Sequence, residues 1–260
     1  MAQQAPESTF PDVTFGINQD LPSLDSGWRT FPGHYLLYAS SGAFTLDVAD
    51  KQWTLPPQRA AWVAADVLIR IQAKGPITSS SILFARDSIM PPPFDCRVFA
   101  ITPLAREMIL HAMRWGIARD PSDVMADRFF AAVADVCSDL ATHAERFWLP
   151  RVRSDVLTNA MDYILNHLES QIRIEAISRS VNVSQRTLAR RFVEEAHLTC
   201  GEFIRRARMV RAMDLLTQPG VSITEVAYAA GFESISAFNS GFRRFTQETP
   251  TQYRNRFLPR

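Results

Sequence analysis

Two segments near the carboxyl end of the chain carry hydrogen-bonding side chains at matching positions after a serine. Following Ser184 and Ser234, the residues four and eight positions on are apolar: Leu188 and Phe192, then Phe238 and Phe242. On a helix such positions share one face, so they must point inward. The outward residues are then Gln185, Arg186, Ala189, Arg190 and Val193 in the first segment, and Ile235, Ser236, Asn239, Ser240 and Arg243 in the second.

The outward side chains are of types that can contact DNA bases. Arginine can bind guanine through two hydrogen bonds, asparagine can bind adenine, and alanine or isoleucine can contact a thymine methyl. The spacing predicts two helices that read base edges in a DNA major groove.

Other side chains in this region suit the phosphate backbone, which positions a protein on DNA without reading sequence. The predicted phosphate contacts are Ser184, Arg191, Arg205, Arg206, Arg208, Arg211, Ser234 and Arg244. Residues 151–260 contain 16 arginines, no lysine and 11 acidic residues, whereas residues 1–150 contain 12 Lys+Arg and 16 Asp+Glu. The net charges of +5 and −4 favour nucleic acid as the partner of the second half.

A helix-turn-helix layout can present these residues, and the chain contains it twice. Ser178 is followed four residues on by Asn182, and Ala227 is followed four residues on by Gly231. A small residue allows a second helix to cross closely, and Asn or Gly supplies the left-handed backbone of a tight turn. About 18 helical residues between the copies would span roughly 27 Å, so one chain could read two major-groove segments about one DNA turn, roughly 34 Å, apart.

The first half of the chain has the pattern of strands. Apolar runs begin near residues 34, 43, 51, 60, 67 and 77 and are separated by Gly, Pro or Asp turns, which favours a small antiparallel barrel or sandwich. After residue 101 the pattern becomes helical, with Thr102 as a cap and Pro103 at the first helical position. A second helix is predicted to be capped near Asp120 or Ser122.

The predicted fold class is therefore a two-domain α+β protein. Its N-terminal domain is a small antiparallel β-barrel followed by helices, and its C-terminal domain is an all-α domain of seven helices with two helix-turn-helix units. The predicted divisions are a flexible segment at 1–20, a sensing and dimerisation domain at 21–148, a linker at 149–154 and a DNA-binding domain at 155–257.

Residues 155–257 closely resemble the AraC/XylS family of transcription regulators. The resemblance is carried by "ISRSVNVSQRTLARRF", "FIRRARMVRAMDLL", "ITEVAYAAGFESISAFNSGFRRF" and "TPTQYR". It implies two helix-turn-helix subdomains joined by a long helix, promoter DNA and RNA polymerase as partners, and a role as an activator. It also implies DNA contacts at Arg186, Ala189, Arg190, Ile235, Ser236, Asn239 and Ser240. Members commonly carry a longer side chain where Ser240 stands, so we expect the first copy to supply most of the base discrimination.

The N-terminal half resembles, more loosely, the cupin-like sensing domain of many such regulators. This resemblance implies a pocket for a small-molecule effector, with the helices between residues 101 and 147 as the seam of a homodimer. The candidate pocket residues are Tyr35, Tyr38, Trp53, Trp62 and Arg70, although aromatic residues on strands more often belong to a core. We expect no metal or other cofactor, because His34 stands alone and the histidines that ligate metal in relatives do not cluster here.

Other classes of function have less support in the sequence. A cupin-type enzyme with a helical accessory domain is the main alternative, but the chain has no nucleophile elbow, paired carboxylate motif or metal spacing, so no catalytic residue is expected. An RNA-binding or structural interaction protein is a further alternative. Cys96, Cys137 and Cys200 have no paired spacing, and no stretch has the roughly 18 apolar residues of a membrane span. The expected location is the cytoplasm.

Overall fold

A computed structural model describes residues 10–143, 147–218 and 220–255. The chain forms two compact units. Unit 1 contains the described residues within Met1–Val48 and Thr54–Arg146, and unit 2 contains those within Ala49–Trp53 and Phe147–Arg260. The short stretch Ala49–Trp53 therefore belongs with the C-terminal residues.

Antiparallel sheets dominate unit 1. The strands between residues 10 and 100 are β1 (Phe15–Leu21), β2 (Leu24–Arg29), β3 (His34–Ser41), β4 (Phe44–Val48), β5 (Lys51–Leu55), β6 (Arg59–Val63), β7 (Ile69–Ala73), β8 (Ile77–Phe84) and β9 (Cys96–Ala100). Of these, β5 begins in unit 2. One sheet has the order β1-β8-β3-β6-β9, and in a second sheet β7 lies between β4 and β2. The strands pair antiparallel in β1–β8, β2–β7, β3–β6, β3–β8, β4–β7 and β6–β9. The six strands predicted from the sequence correspond to β3 through β8.

Two of the predicted divisions need correction. Residues 1–20 were predicted to be a flexible segment, yet β1 pairs with β8 along its whole length, from Phe15 opposite Leu83 to Leu21 opposite Ile77. Residues 1–9 lie outside the described part. The predicted linker 149–154 begins with a short strand, β10 (Leu149–Pro150), which pairs with Lys51 and Gln52 of β5. Both strands form through partners that are distant in the chain, which local patterns do not reveal.

Two helices of unit 1 cover one face of the first sheet. The hydroxyl of Thr102 caps α1 (Pro103–Ala112) by accepting the Ala105 amide, as predicted. The cap of α2 (Val124–Thr142) is Asp123 and neither of the predicted residues. Asp120 instead accepts the Ser122 amide and hydroxyl, which holds both in the preceding turn. The buried faces of α1 and α2 pack against side chains of β3, β6, β8 and β9.

Unit 2 is helical apart from β10 and the first three residues of β5. The helices among its described residues are α3 (Asp155–Asn166), α4 (Ile174–Ser180), α5 (Gln185–Ala196), α6 (Cys200–Leu216), α7 (Ile223–Ala229), α8 (Ile235–Thr246) and α9 (Pro250–Asn255). Two apolar clusters meet at α6. Phe203 and Ala207 lie in the cluster with α3, α4 and α5, and Met209 and Met213 lie in the cluster with α7, α8 and α9. Since α6 belongs to both clusters, it fixes the two helix pairs to each other.

Candidate nucleic-acid interface

The two helix pairs, α4 with α5 and α7 with α8, have equivalent turns. Asn182 has a φ of 53° and Gly231 a φ of 87°, so both supply the predicted left-handed backbone. In the first turn the Val183 amide donates to the carbonyl of Ser178 at 3.1 Å, and in the second the Phe232 amide donates to the carbonyl of Ala227 at 2.9 Å. Hydrogen bonds that span five residues in this way satisfy the last carbonyls of a helix. The internal repeat predicted from the sequence is confirmed.

Gly231 is required by packing as well as by its backbone angle. A Cβ atom at this position would lie 1.9 Å from the carbonyl oxygen of Leu168 and 2.7 Å from Nε of Arg208. That Arg208 side chain donates to the carbonyls of Leu168 at 3.2 Å and Ser170 at 2.9 Å. The second turn therefore rests directly on the end of α3.

The two turns differ in length by one residue. One residue lies between Asn182 and Ser184, whereas two residues lie between Gly231 and Ser234. Each serine nevertheless caps its helix: the Ser184 hydroxyl accepts the Thr187 amide at 3.1 Å, and the Ser234 hydroxyl accepts the Ala237 amide at 3.2 Å. The start of each reading helix, α5 and α8, is thus fixed by its own cap.

The predicted division of α5 and α8 into inward and outward faces is confirmed. The side chains of Leu188, Phe192, Phe238 and Phe242 are fully buried. The residues predicted to contact bases are all exposed: Gln185, Arg186, Ala189, Arg190, Ile235, Ser236, Asn239, Ser240 and Arg243. Their contact with bases remains a prediction.

The two exposed faces offer different chemistry. The face of α5 carries two guanidinium groups, Arg186 and Arg190. Arg190 lies 3.6 Å from Glu194, but both side chains are more than half exposed, so this pair is weak and leaves the guanidinium free to move. On α8 the first outward residues are Ile235, which is 37% exposed, and the short Ser236.

The residues predicted to contact phosphates fall into three groups, of which the first two differ in exposure. Ser184, Arg205, Ser234 and Arg244 are exposed. Arg191 and Arg211 are half-buried beside carboxylates: Arg191 lies 3.3 Å from Glu195 and Arg211 lies 3.8 Å from Glu169. A phosphate would have to compete with these ion pairs.

Arg206 and Arg208 are held within unit 2. The Arg206 guanidinium lies 4.2 Å from the ring centroid of Trp148, and burial lowers its pKa. Burial also lowers the pKa of Arg208, whose guanidinium is bonded to the end of α3. These contacts give both arginines a structural role that the sequence analysis, which assigned them to phosphates, did not foresee.

The sequence of the chain is similar to a family of helix-turn-helix domains and to several transcriptional regulators. Residues 177–256 match the family model of a helix-turn-helix domain. The chain is 26% identical to the HTH-type transcriptional regulator NimR of Escherichia coli (strain K12) over 251 residues, which cover 93% of this chain and 86% of that protein. It is 32% identical to the xylose operon regulatory protein of the same strain over 96 residues, which cover 37% of this chain and only 24% of that protein. A solved AraC-type DNA-binding domain protein from Chromobacterium violaceum is 30% identical, with a TM-score of 0.38, and the match covers 40% of this chain and 95% of that one.

By these matches the chain is similar to helix-turn-helix regulators of transcription. The protein therefore binds DNA and regulates transcription. The two curated relatives named above are both regulators. Within the described residues, no helix is both long and apolar enough to cross a membrane.

The sheet-rich unit 1 contains a cavity of about 470 Å³. Side chains from both sheets line it, among them Phe15 on β1, Tyr35 on β3, Phe44 on β4 and Ile71 on β7. Of the five residues predicted to form an effector pocket, Tyr35 is the one that lines this cavity. Burial raises the pKa of Tyr35 to about 12, so its hydroxyl stays protonated at neutral pH.

The other four predicted pocket residues lie elsewhere, which corrects that part of the prediction. Tyr38 and Trp62 are in the core that packs against α1 and α2. Arg70 lies beside Asp25, with its Nη2 2.6 Å from the carboxylate. Trp53 belongs to unit 2.

Arg29 lines the cavity and was missed by the sequence analysis. It ends β2, whose sequence "LDSGWR" contains a glycine with a φ of 61° and an irregular register with β7. The alternation that marks a strand is therefore lost there, although an isolated arginine beside an aromatic pair, Trp28 and Phe31, was a visible signal.

His34 does not belong to any metal-binding group in the described chain, where no cluster of three or more His, Cys, Asp or Glu side chains could hold an ion. Its Nδ1 accepts the Ala65 amide at 3.1 Å, and burial lowers its pKa. Because Nδ1 is the acceptor in this hydrogen bond, the proton of a neutral His34 ring is on Nε2.

Proposed function

We propose that this regulator reads two consecutive major-groove segments of a promoter with α5 and α8, and that α5 supplies most of the base discrimination. The observation that carries the proposal is the pair of matching exposed faces, of which the first holds two long guanidinium groups and the second mainly short side chains. At 17 residues, α6 is about 26 Å long. A rigid connection of that length suits two reading helices placed about one DNA turn apart.

Phosphate contacts from the exposed Ser184, Arg205, Ser234 and Arg244 complete this proposed interface. The serine hydroxyls sit at the first turns of the reading helices, where the backbone amides also favour an anion. Such contacts would fix the orientation of the protein on DNA, and their number would set how steeply affinity falls with salt.

The proposal extends to the rest of the molecule. We propose that unit 1 is a cupin-like sensing domain with a small-molecule effector, that α1 and α2 form the seam of a homodimer, and that the protein acts in the cytoplasm as an activator that contacts RNA polymerase. The cavity between the two sheets supports the sensing role. The exposed Leu104, Val124 and Met125 at the starts of α1 and α2 support a protein contact there.

Selection of binding sites from random duplex DNA, followed by titrations with single variants, tests the division of labour between the helices. Arg186→Ala and Arg190→Ala should each relax the sequence preference by roughly 1 to 3 kcal/mol at the base they contact. Arg205→Ala is the matched control, because an exposed phosphate contact should weaken binding to all sequences equally. A greater loss of selectivity from Ser236→Ala or Asn239→Ala would show that the second helix is the main reader.

A further inference from the structure

The described residues that line the cavity of unit 1 are mainly apolar and carry a single formal charge. Among the described residues that line it, Arg29 alone is charged, and the rest are mostly apolar or aromatic. Phe31 and Tyr35 form one wall, with ring centroids 4.6 Å apart. Phe10 continues this wall, since its ring centroid lies 5.8 Å from that of Phe31. A volume of about 470 Å³ lies within the range of sites for small organic molecules.

Arg29 has no carboxylate of the described residues within ion-pair distance. Its guanidinium carbon lies 5.9 Å from the ring centroid of Phe31, so the aromatic wall provides its observed contact. The contrast with Arg70 is direct, because Arg70 is fully engaged by both carboxylate oxygens of Asp25. Both arginines lie on the paired strands β2 and β7, but only the unpaired one lines the cavity.

A half-buried guanidinium without a counter-charge has a clear preference in ligands. Charged side chains are costly to bury unless they are paired, and the planar fork of arginine matches a carboxylate through two parallel hydrogen bonds. The aromatic walls would remove the rest of the ligand from water. A doubly charged ligand would leave one charge unpaired, since the described lining offers one cation.

We propose that the cavity binds a small monocarboxylic acid with an aromatic or similarly apolar body, whose carboxylate is paired by Arg29. This inference rests on the proposed effector role of unit 1 and specifies the chemical class of the effector. The Phe31 ring lies next to both the Arg29 guanidinium and the Tyr35 ring, so these three side chains belong to one wall of the site.

The test uses the full chain and three acids of increasing length: phenylacetate, 3-phenylpropionate and 4-phenylbutyrate. Each acid is paired with its uncharged primary amide, and binding is measured by calorimetry at pH 7.5. At least one acid should bind saturably, at least tenfold more tightly than its amide. The proposal is wrong if no acid binds with a dissociation constant below 5 mM, or if the amides bind as tightly as the acids.

Variants then locate the charge. Arg29→Gln should reduce acid affinity at least tenfold while amide affinity stays the same, and Arg70→Gln should leave both affinities unchanged. Equal effects of the two substitutions would overturn the assignment to Arg29. If circular dichroism shows that Arg29→Gln does not fold, Arg29→Lys replaces it in the comparison. The ratio of acid affinity to amide affinity, measured on the unchanged chain, then decides whether the site prefers a carboxylate.

Ligand binding and DNA binding are measured separately on the same preparation, so the two proposals can fail independently. Acid binding without specific DNA binding would contradict the promoter-reading proposal alone. Specific DNA binding without acid binding would contradict only the ligand class.

Discussion

Replacing Gly231 by alanine should destabilise the second helix-turn-helix pair by about 3 kcal/mol. Two costs add up at this position. A side chain at a φ of 87° pays about 1 to 2 kcal/mol for its backbone conformation. The new Cβ would also lie 1.9 Å from the Leu168 carbonyl oxygen, and relieving such an overlap costs about 1 to 3 kcal/mol.

The overlap cannot be relieved cheaply, because the obstructing atom belongs to the backbone. The Leu168 carbonyl also accepts a hydrogen bond from Arg208, so moving it disturbs the anchor of that side chain on α6. We therefore expect α7 and α8 to move away from the end of α3, which changes the position of the second reading helix as well as its stability.

Gly220→Ala is the matched control. Gly220 has a φ of 80°, close to that of Gly231, but a Cβ atom there would meet nothing within 4 Å. It should therefore cost only the backbone part, and the two variants should differ by about 1 to 3 kcal/mol.

Amide hydrogen exchange of the full chain, followed for peptides of α8, measures this difference as a local opening free energy. The expected loss of about 3 kcal/mol corresponds to an increase of roughly a hundredfold in the open population. Surface substitutions without a specific effect usually change stability by no more than about 0.5 kcal/mol. If the losses of opening free energy caused by Gly231→Ala and Gly220→Ala differ by less than this, the close approach to Leu168 does not restrict the turn.

Two further predictions concern unit 2. Phe238→Ala should lower the free energy of unfolding by about 3 to 5 kcal/mol in denaturant titrations, because its ring is fully buried. Ile235→Ala, on the exposed face of the same helix, should lower it by only about 0.5 kcal/mol. Similar losses from both substitutions would contradict the assigned faces. The pKa of Glu225 is lowered below 4.5 because its carboxylate accepts the Ser222 amide and hydroxyl at the start of α7, so its stabilising effect is present above pH 4.5 and is lost as the pH falls through the lowered value. Thermal unfolding of the unchanged chain and of Glu225→Gln should therefore differ most at pH 6 and progressively less as the pH falls below 4.5, and a constant difference would refute this linkage.

The helix-turn-helix units could be predicted because their signals are local. A left-handed residue, a capping serine and apolar residues at +4 and +8 all lie within about 15 residues of one another, and each has a direct conformational meaning. The positions of Asn182, Ser184 and Phe192 follow from these rules alone. The structural roles of Arg206 and Arg208 do not, since their partners Trp148 and Leu168 lie about 40 residues or more away in the sequence.

The cavity shows where sequence patterns fail in unit 1. Tyr35 and Leu37 line it, whereas Leu36 and Tyr38 point from the same strand toward α1 and α2. Successive residues of a strand face opposite sides, but β3 is buried on both sides from His34 to Ala39, and a strand covered on both faces has no polar alternation to reveal its orientation. The prediction therefore placed Tyr38 and Trp62 on the wrong side.

The assignment of Ala49–Trp53 to unit 2 has a consequence for protein engineering. Gln52 pairs with Leu149, and the Trp148 ring contacts two cations, with its centroid 5.4 Å from Nζ of Lys51 and 4.2 Å from Cζ of Arg206. The helical unit thus includes five residues that a single cut near residue 150 would remove. In a chimera built at that cut, β10 would have to pair with a strand of a foreign protein in place of Lys51 and Gln52. When the N-terminal domain is exchanged, the residues Ala49–Trp53 of this protein should therefore be kept together with its helical unit.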